Sequence, residues 1–421
     1  MADPKRILFF AEAVTLAHVA RPLVLAAAAS DAGHETVVAC DRRYERFVAG
    51  GPWSSLPLHS IPAERFLDAL AKGKPFYDEQ TLQGYVEEDR TLIDSVQPDL
   101  VVGDFRLSLS ASARLSGVPY AAISNAYWSP YAADKTLPLP VLPFTKILPL
   151  PLAGALFNVV SPFVSRLFCR PLNRAREAYG LPGLKSDLRV AYTDADYVLY
   201  ADPPGMFATA ALPGNHRHIG PVLWAPPVPA PAWWKHIDET RPVVYVTLGS
   251  SGSPELLAAV LESLAPLAVT VIASTAGAKI SLPSAKNVHV ADYLPGMEAA
   301  ARARLVICNG GSPTAQQALA AGVPVLGIAN NMDQFLNMAA VVRTGAGLLL
   351  RGDRASGRVV REAVGRILAS ASFAQAAAAL SRDFEAHDAK KAFCEFVTEV
   401  TAEPALPGER SVAKQPGAIV D

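Results

Sequence analysis

Short, uninterrupted apolar runs recur along the chain, and each closes on a glycine, serine or acidic turn before a helical stretch begins. Residues 6–11, 35–40, 100–104, 120–124 and 197–201 read this way. The series restarts at 243–248 and continues through 269–274, 288–291, 305–308, 323–328 and 347–350. Strands apolar on both faces belong to parallel sheets covered by helices, and regular strand–helix alternation predicts doubly wound α/β layers. Between the two series lies PVLWAPPVPAPAWW, residues 221–234, proline-rich and uncharged, which reads as a stiff extended connector. The expectation is therefore two Rossmann-like domains facing across a cleft. Their limits are 1–222 and 237–380, joined by a linker at 223–236 and followed by a C-terminal helix at 381–401. Residues 402–421 read as a disordered tail. A chain of 421 residues suits two domains of ordinary size.

Composition removes several functions. Net charge is -1 with 18% charged residues, which leaves no basic face for nucleic acid. Cys40, Cys169, Cys308 and Cys394 show neither CxxC nor metal-ligand spacing, which fits a reducing, cytoplasmic setting. The first apolar run, ILFF, is too short for a signal segment and meets Glu12 directly. Residues 137–164 are apolar over a membrane-spanning length, yet hold six prolines and Lys146. Each proline inside a helix costs about 3 kcal/mol. This stretch is expected to form a hydrophobic lip or loop that can contact a membrane without crossing it.

The richest segment is CNGGSPTAQQALAAGVPVLGIANNMDQFLN, residues 308–337. A strand ends at Cys308, the chain turns through Gly310 and Gly311, and Ser312 stands as a natural N-cap. Pro313 then occupies the first helical position, where a missing N–H is harmless. Uncovered N–H groups and the positive pole of a helix make such a place a phosphate site. Asp333 and Gln334 open the next helix with a carboxylate and an amide able to hold sugar hydroxyls. A generic strand–turn–helix corner is the plain alternative for the Gly-Gly-Ser element alone.

In spacing and order this segment resembles the donor-binding stretch of family 1 glycosyltransferases of the GT-B fold, of bacterial small-molecule type, HGGSGTxxEALAAGVPxVxxPxxxDQxxN. NGGSPT, ALAAGVPV and DQFLN fall at matching places. YVTLGS, residues 245–250, resembles the first strand and turn of that donor domain, and ADYLPG, residues 291–296, its base-binding loop. The resemblance implies a UDP- or TDP-sugar donor held by Ser250, Ser251, Tyr293, Leu294, Asn309, Gly310, Gly311, Ser312, Thr314, Gln317, Asp333 and Gln334. Two departures stand out. Asn309 replaces the family's histidine on the diphosphate, and Gln317 its glutamate on the ribose.

The resemblance extends to the first half. AEAVTLAHVARPLVLA is similar to the family's GHxxPxxxLA motif, with Ala17 for glycine, and puts His18 just before the first helix in the place of the catalytic base. Asp104, closing LVVGD, corresponds to the base's aspartate partner. An imidazole titrates in the range a general base needs, and a carboxylate beside it fixes its tautomer. Read without the resemblance, the two residues are a helix-start histidine and a strand-end cap.

The N-terminal domain is implied to bind the acceptor. Tyr127, Trp128 and Tyr131, with residues 66–85, are candidates to line its pocket, or else to pack beneath a loop. A small, largely apolar acceptor follows. His34 reads as a turn residue, while His216 and His218 read as a loop pair. Asp194-Ala195-Asp196 resembles the metal-binding triplet of another glycosyltransferase class but reads as a turn into a strand. No metal and no cofactor is expected, the nucleotide-sugar being a co-substrate. A nucleotide-sugar epimerase and a non-catalytic sugar-nucleotide binder remain as alternatives.

Overall fold

The structure, a computed structural model, describes residues 3–281 and 283–402. Its first sheet holds β1 (Arg6–Ala11), β2 (Glu35–Cys40), β3 (Ser54–Pro57), β4 (Leu100–Asp104), β5 (Tyr120–Ser124), β6 (Tyr197–Tyr200) and β7 (His216–His218). They lie in the order β3-β2-β1-β4-β5-β6-β7. The second holds β8 (Val243–Thr247), β9 (Thr270–Ser274), β10 (Val288–Ala291), β11 (Leu305–Cys308), β12 (Val325–Ala329) and β13 (Gly347–Arg351), in the order β10-β9-β8-β11-β12-β13. All of these pairings are parallel. Strand order reverses between β1 and β4 and again between β8 and β11. The crevice beyond such a reversal is where ligands of doubly wound sheets bind. The fold is the two-sheet, doubly wound α/β architecture expected from the alternation.

Strands β3 and β7 escape the apolar-run criterion because they are short and polar, SSLP and HRH. His216 and His218 therefore sit on a strand rather than in a loop. The first helix is Ala17–Asp31, so His18 lies in its first turn instead of just ahead of it. Pro22, which suggests a later start, is inside that helix. Lacking an N–H, it cannot bond to the His18 carbonyl one turn back.

Residues 221–231 have no regular structure, and the following 3-10 turn Ala232–His236 buries Trp234 against the second sheet's core. The C-terminal segment forms two helices, Ala371–Glu385 and Ala389–Ala402. The second returns to the first sheet, where Phe393, Phe396 and Val397 join Phe9 and Val38 in one core. The tail predicted beyond residue 402 lies outside the described residues.

The proline-rich stretch needs a correction. A lip is present up to residue 149, but from Leu150 to Ala178 the chain is one helix with Pro162 and Pro171 inside it. Pro151 sits in its first turn, where proline is tolerated. Pro162 strands the carbonyl of Asn158, and the Ser161 hydroxyl donates to that oxygen at 3.2 Å. Burial of Phe157, Cys169, Leu172 and Ala175 holds the rest. Tertiary packing thus outweighs a local proline penalty.

Candidate active site

Parallel pairing puts Ala11 of β1 opposite Asp104 of β4, so both strands deliver their ends to the same edge. The turn after β1 feeds the helix that carries His18. His18 Nδ1 lies 2.8 Å from Asp104 Oδ1, and the carboxylate is almost wholly buried. A carboxylate only accepts, so Nδ1 carries the proton and Nε2 is the basic nitrogen. The imidazole stacks on Phe105 with ring centroids 4.6 Å apart. Phe105 has φ +60°, a strained conformation for a bulky residue. Such strain persists only where the surroundings enforce it, commonly beside functional groups.

A third residue completes the pair. Arg21, one turn after His18, donates from Nε to Asp104 Oδ2 at 2.7 Å and from Nη2 to Oδ1 at 2.8 Å. Its Nη1 reaches Asn125 Oδ1 at 2.8 Å. Burial opposes charge on Arg21, but Asp104 more than offsets it and the guanidinium's pKa is raised. Neither Arg21 nor Asn125 stands out in the sequence. The only signal for Arg21 is its spacing of three from His18, which places both on one helix face.

Glu12, in the turn leading to His18, is completely buried and pairs with Arg106 at 2.9 Å. Arg106 also holds Asp89 at 2.9 Å and lies over the Tyr85 ring. This network fixes the base of the turn from below.

On the other side of the cleft, Gly310 has φ +84°, and a Cβ there would collide with Met338. Only glycine makes this turn. Gly311, not Ser312, is the N-cap of the helix Ser312–Ala320. The Ser312 hydroxyl instead donates across the cleft to Asn125 Oδ1 at 3.3 Å. Asn309 is internal to the corner: its Oδ1 accepts from Gly311 N at 3.0 Å and its Nδ2 donates to Ser251 Oγ at 3.0 Å. The N–H groups of Ser312 and Thr314 are left at the helix start without intrahelical partners.

One cavity of about 760 Å³ joins the two sides. His18, Arg21, Asp104, Tyr127 and Trp128 line it from the first sheet. Ser250, Ser251, Tyr293, Leu294, Asn309, Gly311, Ser312, Thr314, Gln317, Asp333 and Gln334 line it from the second. Gly310 is not among the lining residues, and its part is the turn itself. Tyr131 is absent from the lining too; it packs edge-on against His216 on the outer strand, which takes it out of the acceptor set.

Several lining groups are already engaged. Asp333 Oδ1 accepts from Trp128 Nε1 at 2.8 Å and from Tyr127 Oη at 2.9 Å, bridging the cleft. Burial, together with the Asp333 charge, keeps the Tyr127 phenol protonated by raising its pKa well above the ordinary value. Gln334 Oε1 closes a capping box with Asn331, leaving its Nε2. Gln317 Nε2 donates to the Trp224 carbonyl. Ser250 Oγ accepts from Leu16 N at 3.2 Å, and the Tyr293 hydroxyl donates to Ala276 O at 2.9 Å.

Groups outside the cleft find structural partners. Asp194 pairs with Arg114 and Arg176, each at 2.8 Å, and Asp196 accepts from Tyr120 N at 2.9 Å. His216 bonds to the Tyr200 hydroxyl at 2.7 Å, and His218 pairs with Asp202 at 3.2 Å. His34 accepts from Lys5 N at 3.2 Å, the turn role expected of it.

Residues 256–399 match the family described as Erythromycin biosynthesis protein CIII-like, C-terminal domain. The chain is 49% identical over 384 residues to a PGL/p-HBAD biosynthesis glycosyltransferase of Mycobacterium tuberculosis, covering 91% of this chain and 90% of the other. It is a family 1 glycosyltransferase of the GT-B fold. A PGL/p-HBAD biosynthesis rhamnosyltransferase of Mycobacterium bovis BCG is also 49% identical to this glycosyltransferase, over 91% of it and 85% of the relative. Among solved structures, Spinosyn Forosaminyltransferase SpnP superposes with TM-score 0.69 at 24% identity, covering 95% of this chain and 100% of that one. Spinosyn Rhamnosyltransferase SpnG, solved complexed with thymidine diphosphate, matches this glycosyltransferase with TM-score 0.67 at 18% identity, covering 93% and 99%. The same protein complexed with spinosyn aglycone gives 0.63 at 19% over the same shares.

Proposed function

We propose that this glycosyltransferase moves a hexosyl group from a UDP- or TDP-sugar to a hydroxyl of a small, largely apolar acceptor, with inversion and with His18 as general base. The observation that carries the reading is that the His18–Asp104 pair and the bare helix start at Ser312 open into one cavity. Asp104 holds Nδ1–H, and Nε2 takes the proton of the acceptor hydroxyl. The freed oxygen attacks the anomeric carbon from the face opposite the diphosphate, forming one C–O bond as the other breaks. Negative charge then grows on the departing diphosphate, where the N–H groups of Ser312 and Thr314 and the helix dipole meet it.

The free carboxylate oxygen of Asp333 and the Gln334 amide are the groups for sugar hydroxyls. The apolar wall, with Phe66, Phe76, Phe105 and Phe168, suits a greasy acceptor. The thymidine diphosphate of the SpnG complex and the rhamnosyl activity named for the Mycobacterium bovis relative make TDP-rhamnose the first donor to try. In this reading the reaction needs no cofactor and no metal, because the helix start supplies the positive pole. The four free cysteines accord with a cytoplasmic site of action.

The test incubates purified protein with UDP- and TDP-hexoses and an apolar alcohol or phenol, with and without chelator. Expected are a glycoside of inverted anomeric configuration by NMR and equal rates in both conditions. A retained configuration, or loss of turnover with chelator, contradicts the mechanism.

A further inference from the structure

The helix Leu150–Ala178 is apolar on two opposite faces. One face is packed: Phe157 and Cys169 are buried, and Phe157, Val164 and Phe168 line the cavity. The other faces solvent. Leu152, Leu156, Val159, Phe163 and Leu167 follow one another at steps of three and four, and with Val160, one turn past Leu156, they form a single exposed stripe. Val159 is 79% and Phe163 68% exposed, and Ile147, just ahead of the helix, is 84% exposed. Contiguous exposed apolar surface of this kind marks an interaction site. Leu156 and Val160 are exposed and also line the cavity, so the stripe forms the cavity's rim.

Charge selects the occupant. Lys146, Arg166, Arg170 and Arg174 are exposed around or beyond the stripe. No aspartate or glutamate occurs from Lys135 to Arg176. Arg170 and Arg174 continue the same helix face one and two turns past Leu167. Arg174 is shared with Glu79 at 3.5 Å, while an apolar stripe flanked by Lys146, Arg166 and Arg170, on a segment that bears no acid of its own, complements an anionic lipid bilayer. A second copy would have to set cations against cations or against apolar side chains.

We propose that this helix docks the enzyme on an anionic bilayer, inserting the stripe among the acyl chains with the arginines at the headgroups. A lipid acceptor then enters over Leu156 and Val160 with its hydroxyl leading toward His18. By length and composition the helix is also long and apolar enough to cross a membrane. Its packed face against the protein core makes it lie in the interface instead. This proposal rests on the transferase reading for its acceptor and stands apart from it for its docking.

The experiment sediments the full chain with vesicles of phosphatidylcholine, alone or with about one third phosphatidylglycerol. Binding to the anionic vesicles, weakened by salt, is expected. The Val159→Asp/Phe163→Asp double variant should lose it by on the order of 100-fold. Arg170→Gln should lose about fivefold, and only on anionic vesicles. Transfer to a short, water-soluble acceptor serves as the folding readout and should be unchanged in both variants. No vesicle binding by the wild-type chain overturns the proposal. So does self-association abolished by the double variant with vesicle binding untouched. Because sedimentation needs neither donor nor acceptor, its failure leaves the transferase reading standing.

Discussion

Arg21 grips both oxygens of Asp104, at 2.7 and 2.8 Å, while His18 Nδ1 approaches the same carboxylate at 2.8 Å. The carboxylate has almost no water contact. The guanidinium and the imidazole share this one carboxylate, so Arg21, Asp104 and His18 form a hydrogen-bonded triad.

Removing one partner of a buried ion pair leaves a charge uncompensated, at about 3–5 kcal/mol. Arg21→Ala should destabilise the protein by that order in denaturant melts. It should also lower kcat by about 10–100-fold through a misplaced imidazole, since small displacements cost that much. Arg21→Lys, which keeps charge but not the fork, should recover most stability and only part of kcat. Equal kcat in all three proteins contradicts a positioning role.

Asp333 ties the two walls of the cleft together through Trp128 and Tyr127. The Tyr127→Phe/Trp128→Phe double variant keeps an aromatic ring at each position and strips both donors. Steady-state kinetics should show kcat/KM for the donor falling about 5–30-fold, the cost of one or two lost hydrogen bonds to a charged group. A change confined to the acceptor's KM contradicts the bridge.

Gln317 occupies the place of a family glutamate, yet its amide donates to the Trp224 carbonyl. Gln317→Glu would set a carboxylate against that carbonyl. The substitution toward the family pattern should therefore weaken nucleoside diphosphate binding, by about tenfold in calorimetry, one lost hydrogen bond's worth. Tighter binding contradicts this.

Burial lowers the pKa of His216 from 6.5 to about 4. Above pH 6.5 the residue is neutral in both states and costs nothing. As pH falls toward 4 the unfolded chain gains a proton that the folded chain refuses, so stability drops. His216→Gln keeps a hydrogen-bonding group near Tyr200 without titrating. Its melting temperature should decline less than wild type between pH 6.5 and 4.5, by on the order of 2–4 °C. Parallel curves contradict the assignment.

Most of the fold was legible because buried parallel strands announce themselves as apolar runs. Polar edge strands such as His216–His218 did not, since all three of their residues are only partly buried and none is aliphatic. The helix through Pro162 and Pro171 was illegible because its stability comes from partners distant in sequence, which local propensity does not contain. In the cleft, Gly310, Gly311 and Pro313 spelled out the turn. The engagement of Asn309, Gln317, Gln334 and Ser250 in the protein's own hydrogen bonds emerged only with both lobes in place. Arg21 was hidden because an arginine on an apolar helix face has no meaning until the buried carboxylate opposite it is known.

The most direct test of the account compares His18→Ala with the wild-type enzyme for both turnover and nucleoside diphosphate affinity. The account predicts kcat lower by about 10²–10⁴, the usual worth of a general base, with an unchanged dissociation constant. Turnover that survives the substitution would show that another group takes the acceptor's proton.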